Sequence, residues 1–249
     1  KYVDVKVVAS SKDKMFSYIP DVSDLDIRED ADYVFMCDNN TIYGTKFQEL
    51  PNTKGKILVS DMSSCILSEP IDVTKYGIIF AGAQKNVGPA GTVIVIIRED
   101  LITSDLNPLV PVMLRYDIHA ENQSMYNTPP TYGIYLCGKV FKWLLNLGGL
   151  EAIQKINIDK ANILYDYLDQ SKMFFGTVDK QSRSLMNVCF KSTSEELDEK
   201  FIKEAKAKGF DNLKGHRSVG GMRASIYNAM PTEGVKALVD FMREFEQNN

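Results

Sequence analysis

The sequence predicts an α/β fold: a mainly parallel sheet in a larger first domain, followed by a smaller α/β (α+β) domain. Three observations carry that reading. The first half alternates short Val- and Ile-rich runs with polar breaks, and several runs are continuously apolar, as strands covered on both faces of a parallel sheet are. The second half switches to helical spacing from Thr128-Pro129-Pro130-Thr131 onward, where a Pro pair suits a helix start. At 249 residues the chain can bury a sizeable core in one large domain or two smaller ones.

Taken in order, Val3–Ser10 alternates as a strand does, and Tyr33–Cys37, Ile57–Ser60, Gly77–Phe80 and Thr92–Arg98 follow as further strands. Ile134, Cys137, Phe141, Leu144 and Leu145 keep one helical face up to Gly148-Gly149, and a second helix runs from about Leu150 to Leu168. Leu185–Lys191 is a predicted strand and Glu195–Lys208 a helix, with Leu197, Phe201 and Ala205 on one face and Gly209 as its stop. Met222–Tyr227 is the last strand. Pro231–Gln247 closes the chain as a helix whose stripe is Val235, Leu238, Val239, Met242 and Phe245. The domains divide at 148/149, as 1–148 and 149–249, with the first strand assignable to either.

The composition is that of an ordinary globular chain: 44% hydrophobic, 25% charged and 10% aromatic. A formal charge of -4, with no basic run longer than a pair, gives no reason to expect nucleic acid or an anionic membrane as partner. No apolar stretch approaches the roughly eighteen residues that a bilayer span requires. Cys37, Cys65, Cys137 and Cys189 lie far apart in apolar contexts, which predicts buried free thiols, a reducing compartment and a cytoplasmic location. Two histidines, His119 and His216, are too few for a histidine-rich metal site.

One stretch stands out. In Ala81-Gly82-Ala83-Gln84-Lys85-Asn86-Val87-Gly88-Pro89-Ala90-Gly91 a single lysine sits among small residues between two strand-like runs. A random lysine there is usually a surface residue with an apolar stem. Small neighbours, however, leave room for a flat ligand, and a desolvated lysine becomes a nucleophilic amine. The chemistry that most often needs such an amine is capture of the aldehyde cofactor pyridoxal phosphate (PLP). The PLP ring must keep its pyridine nitrogen protonated, and a buried carboxylate favours that state. Asp61, closing the apolar run Ile57-Leu58-Val59-Ser60, supplies one. Parallel strands would bring Asp61 and Lys85 to the same end of the sheet, where open α/β sheets bind ligands.

These stretches, together with "YNTPPTYGIYLCGKVFKWL" and "GHRSVGGMRASIYNAMPTEGVKALVDFM", resemble the phosphoserine aminotransferases, PLP enzymes of the aspartate-aminotransferase fold group (fold type I). The likeness runs from about Tyr2 to the C-terminus. It implies that Lys85 holds PLP as a Schiff base and shuttles protons during catalysis. It also implies that Asp61 pairs with the ring nitrogen, Thr41 with the ring oxygen and Gln84 with the cofactor phosphate. Asn127 and Thr128 would reach the PLP phosphate of a neighbouring subunit, making a homodimer with shared sites. His216 and Arg217 would bind a substrate phosphate, and Arg223 the α-carboxylate. The implied reaction is transamination between L-glutamate and 3-phosphohydroxypyruvate, giving O-phospho-L-serine and 2-oxoglutarate in serine biosynthesis.

The family pattern also begins with a stretch on the order of a hundred residues that this sequence does not show, carrying a glycine-rich phosphate turn and an aromatic ring over the cofactor. By itself, the chain is therefore expected to bind PLP weakly and to turn over little. Two alternatives stay open: another class V PLP aminotransferase, and a truncated inactive form acting as a dimerising or regulatory partner.

Overall fold

The computed structural model describes residues 3–249. Four strands form the first sheet: β1 (Tyr33–Cys37), β2 (Ile57–Asp61), β3 (Ile78–Gly82) and β4 (Val93–Ile97), side by side in that order. The first three run parallel and β4 is antiparallel to β3. The register sets Cys37 beside Asp61 and Asp61 beside Phe80, so these C-terminal strand ends line up at one edge.

Alternation decides which face is buried. Val34 and Met36 of β1, Leu58 and Ser60 of β2, and Ile79 and Ala81 of β3 all point inward, onto a cluster with Met62, Cys65, Ile66, Val87 and Cys137. The opposite face is apolar yet open: Tyr33, Phe35, Val93 and Val95 are exposed, and the Phe35 and Phe80 rings stack across it.

Val3–Ser10 forms no strand, which corrects the sequence reading. Its alternation is real, but no neighbouring strand pairs with it among the described residues, and Val3, Val5 and Val7 are 60%, 72% and 74% exposed. Period-2 patterning predicts a strand only where a ladder exists to receive it. Cys37 is a second correction. It is exposed, because it occupies the outward phase of β1, whereas Cys65, Cys137 and Cys189 are buried and all four thiols are free.

A short helix α1 (Tyr116–Glu121), which no sequence signal marked, precedes the long pair α2 (Thr131–Leu147) and α3 (Gly149–Leu168). Gly148 joins that pair at φ +113, a conformation that glycine adopts without strain. The second sheet is antiparallel, with β6 (Asn187–Ser192) between β5 (Phe174–Gly176) and β7 (Met222–Ser225). Helices α3, α4 (Glu195–Ala207) and α5 (Thr232–Gln247) pack with it around a separate core. The Phe201 ring is the hub of that core, 5.0 Å from Phe174 and 5.2 Å from Phe245. Ser194 caps α4 by accepting a hydrogen bond from the Leu197 amide at 3.3 Å.

The loop after β1 ties the two sheets together. The Lys46 amide donates to Ser182 O and the Ser184 amide to Gly44 O, both at 2.9 Å. Gly44 sits at φ +80, and a Cβ there would meet the Asn187 carbonyl oxygen at 2.7 Å. Only glycine allows this approach, and the approach carries β6 and β7 up to the ends of β1, β2 and β3.

Candidate active site

Lys85 lies in the turn that follows β3, half-buried. Its Nζ donates to Thr41 Oγ1 at 2.6 Å, and Thr41 belongs to the loop after β1. Burial of the amine is the largest influence on its pKa and pulls it below the ordinary lysine value, with Arg223 pushing the same way and Asp61 pulling back. Asp61, at the end of β2, accepts from the Ser63 amide at 2.8 Å. Ser63 Oγ in turn accepts from the Gly82 amide at 3.1 Å, pinning the loop after Asp61 to the end of β3.

Arg223 arrives from the other sheet. Its Nη1 donates to the Thr41 carbonyl at 3.2 Å, while its buried Nε has no partner among the protein groups. A buried guanidinium donor left over in this way suits an anion such as a carboxylate.

The remaining sequence-predicted residues are placed more loosely. Gln84 is exposed and lies back over Gly82, where a Cβ would meet its Oε1 at 2.6 Å. His216 Nδ1 is 2.7 Å from Ser218 Oγ, and Arg217 is exposed. Both sit in a tight glycine hairpin at the mouth of the Arg223 strand, where the Gly215 amide donates to Gly221 O at 2.8 Å. Asn127 and Thr128 occupy the exposed loop before α2, with no hydrogen bond to the Lys85 group. The structure thus brings Thr41, Asp61, Lys85 and Arg223 together and leaves Gln84, Asn127, Thr128, His216 and Arg217 at the surface.

Sequence reasoning missed the polar network beneath this group. Asn39 Nδ2 donates to Ser64 Oγ at 2.8 Å and to Asn187 Oδ1 at 2.9 Å, Ser64 Oγ donates to Asn39 O at 2.6 Å, and Ser184 Oγ reaches Asn39 Oδ1. All four residues are buried. The one available signal was Asn187 itself, an amide inside the otherwise apolar run Leu185-Met186-Asn187-Val188-Cys189-Phe190. No group of His, Cys, Asp and Glu able to hold a metal occurs among the described residues.

A lysine with a lowered pKa, a carboxylate at a neighbouring strand end and an orphaned arginine donor define an amine-chemistry site that fits PLP and an amino-acid carboxylate. The chain belongs to the class-V aminotransferases, whose family model matches residues 1–238, and its cofactor is pyridoxal phosphate. Within that class its relatives are narrower. The chain is 51% identical over 242 residues to the phosphoserine aminotransferase of Lysinibacillus sphaericus, covering 97% of this chain and 67% of that protein. Against the phosphoserine aminotransferase of a Marinomonas species the identity is 53%, covering 100% and 69%. The solved phosphoserine aminotransferase of Bacillus circulans subsp. alkalophilus superposes with a TM-score of 0.96 at 46% identity, over 99% of this chain and 68% of that one. A PLP-bound phosphoserine aminotransferase from Trichomonas vaginalis matches at TM-score 0.84 and 42% identity, over 88% and 62%. The chain spans about two thirds of the length of the curated relatives it matches.

Proposed function

We propose that the chain carries out PLP-dependent transamination between L-glutamate and 3-phosphohydroxypyruvate, giving O-phospho-L-serine and 2-oxoglutarate. The observation that carries this reading is the Lys85 amine held 2.6 Å from Thr41, its pKa lowered by burial, with Arg223 of β7 donating to the Thr41 carbonyl. When bound, PLP supplies an aldehyde that condenses with amines and a protonated ring that accepts electrons. Lys85 provides the amine that holds the cofactor, and its lowered pKa keeps more of it neutral and ready to take a proton at Nζ. Asp61 keeps the ring nitrogen protonated. Thr41 and Gln84 orient the ring oxygen and the phosphate. Arg223 takes the substrate α-carboxylate on its free Nε face, and His216 and Arg217 take the substrate phosphate, for which a guanidinium fork and an imidazole donor are suited.

Asn127 and Thr128 serve the site of a second copy. The exposed apolar side chains flanking them in sequence, Met125, Tyr126, Tyr132 and Ile134, support a homodimer, since exposed apolar surface often marks an interface. The separate cores on either side of Gly148-Gly149 support division at 148/149 into a PLP-binding part and a smaller C-terminal part. Free thiols support a cytoplasmic location. No helix among the described residues is long and apolar enough to cross a membrane.

The test is an absorption spectrum of the chain with PLP, followed after addition of O-phospho-L-serine. The expected result is a cofactor band that bleaches while 3-phosphohydroxypyruvate appears. A band that ignores phosphoserine and responds to alanine would assign the chain to another class-V activity.

A further inference from the structure

Three buried asparagines from three separate segments converge on one short loop, and the reaction as described uses none of them. The loop follows Asp61, and its successive carbonyls at Ile66, Leu67 and Ser68 each accept from one asparagine side chain. Asn86 Nδ2 donates to Ile66 O at 3.0 Å, Asn228 Nδ2 to Leu67 O at 2.8 Å and Asn157 Nδ2 to Ser68 O at 3.0 Å. Leu67 is kept at φ +60, a conformation that a residue with a side chain holds only where its surroundings impose it. The asparagines also join one another. Asn86 Oδ1 accepts from the Asn228 backbone amide at 3.0 Å, and Asn228 Oδ1 accepts from Asn157 Nδ2 at 2.9 Å. Asn86, Asn228 and Asn157 are 6%, 4% and 0% exposed.

Their places in the chain give the cluster its meaning. Asn86 directly follows Lys85 in the turn after β3, Asn228 follows β7, the strand of Arg223, and Asn157 belongs to α3. The Val87 and Gly88 amides close the Lys85 turn on Ala83 O at 3.0 and 2.8 Å, bonds that lie within the turn itself. The Asn86 side chain reaches out of the turn, to the Asp61 loop through one atom and to the segment after Arg223 through the other. Both partners are backbone groups, a carbonyl that needs a donor and an N–H that needs an acceptor, so the amide has one orientation.

We infer that Asn86 is a positioning residue for Lys85: by bridging Ile66 O and the Asn228 amide it holds the turn so that the amine stays drawn in against Thr41. The inference rests on the reading of Lys85 as the cofactor-binding amine. Asn86 acts through the backbone of the turn, not on the reacting atoms.

The experiment follows the Lys85 side chain by heteronuclear NMR across a pH titration of the full 249-residue chain, free of PLP, with its signal assigned by loss in Lys85→Ala. In Asn86→Ala the freed turn lets water reach the amine, and the Lys85 midpoint is expected to rise by about half a unit or more toward the ordinary lysine value. The titratable groups that act on this amine, Asp61, Cys37, Cys65 and Arg223, are the same in every variant. Asn157→Ala is the control. It also gives up hydrogen bonds to the Asp61 loop and to Asn228, and should lower urea stability without moving the midpoint. An unmoved midpoint in a folded Asn86→Ala chain overturns the inference, and so does an equal shift in Asn157→Ala. Should Asn86→Ala fail to fold, Asn86→Ser, whose hydroxyl is too short to bridge both partners, carries the same expectation. The parent chain offers a check without any variant: the Asn228 amide should be protected from hydrogen exchange, and free exchange there would overturn the inference. Failure of the parent chain to capture PLP at Lys85 would instead strike the underlying functional reading, which these cofactor-free measurements do not require.

Discussion

The proposed cofactor end and the proposed substrate end of the site are built differently. At the cofactor end, Thr41, Asp61, Lys85 and Arg223 come from two sheets and are fixed by hydrogen bonds over the buried Asn39–Asn187 network. At the substrate end, His216 and Arg217 ride on a glycine hairpin, and Arg217 is exposed. Asn127 and Thr128 likewise stand on an exposed loop. Preorganised groups sit where charge and protons move. The groups proposed to recognise an incoming anion stand on exposed loops, where a substrate can reach them.

The largest break of this contrast is Lys85→Ala. Covalent capture of PLP should vanish, and the low transamination expected of the parent chain by itself should fall to background, since nucleophile and proton carrier leave together; the absorption spectrum with PLP and a coupled assay check it. Asn39→Ala comes next. It strands the partners of a buried amide and should cost about 3 kcal/mol in urea unfolding, whereas a value within experimental error would show that the network does not hold the cofactor end.

Lys160 sharpens the same point through pH. It is fully buried without an acidic partner, and burial lowers its pKa from 10.5 to about 8. Below pH 8 both folded and unfolded chains are protonated and the cost of burying the charge is fully present. As pH rises through 8 toward 10.5 the folded chain loses its proton first, so stability from this group increases. Relative to Lys160→Met, the parent chain should gain about 2 kcal/mol between pH 7 and pH 9.5. Arg217→Ala is the smallest change. Stability should stay within about 0.5 kcal/mol, while KM for phosphoserine rises about tenfold, as loss of a charged hydrogen bond in partly open surroundings would give. An unchanged KM would remove the basis for assigning the phosphate to that hairpin.

Legibility in the sequence follows the same divide. The strands β1 to β4 were readable because continuous apolar runs have few other uses, and Lys85 and Asp61 because each closes or follows such a run. Arg223 was singled out only through the resemblance, as an arginine for the substrate α-carboxylate, and the structure places its Nη1 3.2 Å from the Thr41 carbonyl oxygen. Strand β5 escaped notice because three residues, Phe174–Gly176, are too few to show a period. Val3–Ser10 showed the period and formed no strand, since a ladder is made by the partner as much as by the pattern. The Asn39, Ser64, Ser184 and Asn187 network was illegible for a different reason. Buried polar residues obey the geometry of their partners, and those partners are up to 148 residues away in sequence.

The most direct test of Lys85 as the PLP lysine is to expose the chain to limiting PLP, reduce with borohydride and map the modified peptide by mass spectrometry. Label concentrated on Lys85, ahead of every solvent-exposed lysine, is the expected result. Label spread over exposed lysines with Lys85 unmodified, in a chain shown to be folded, would contradict it.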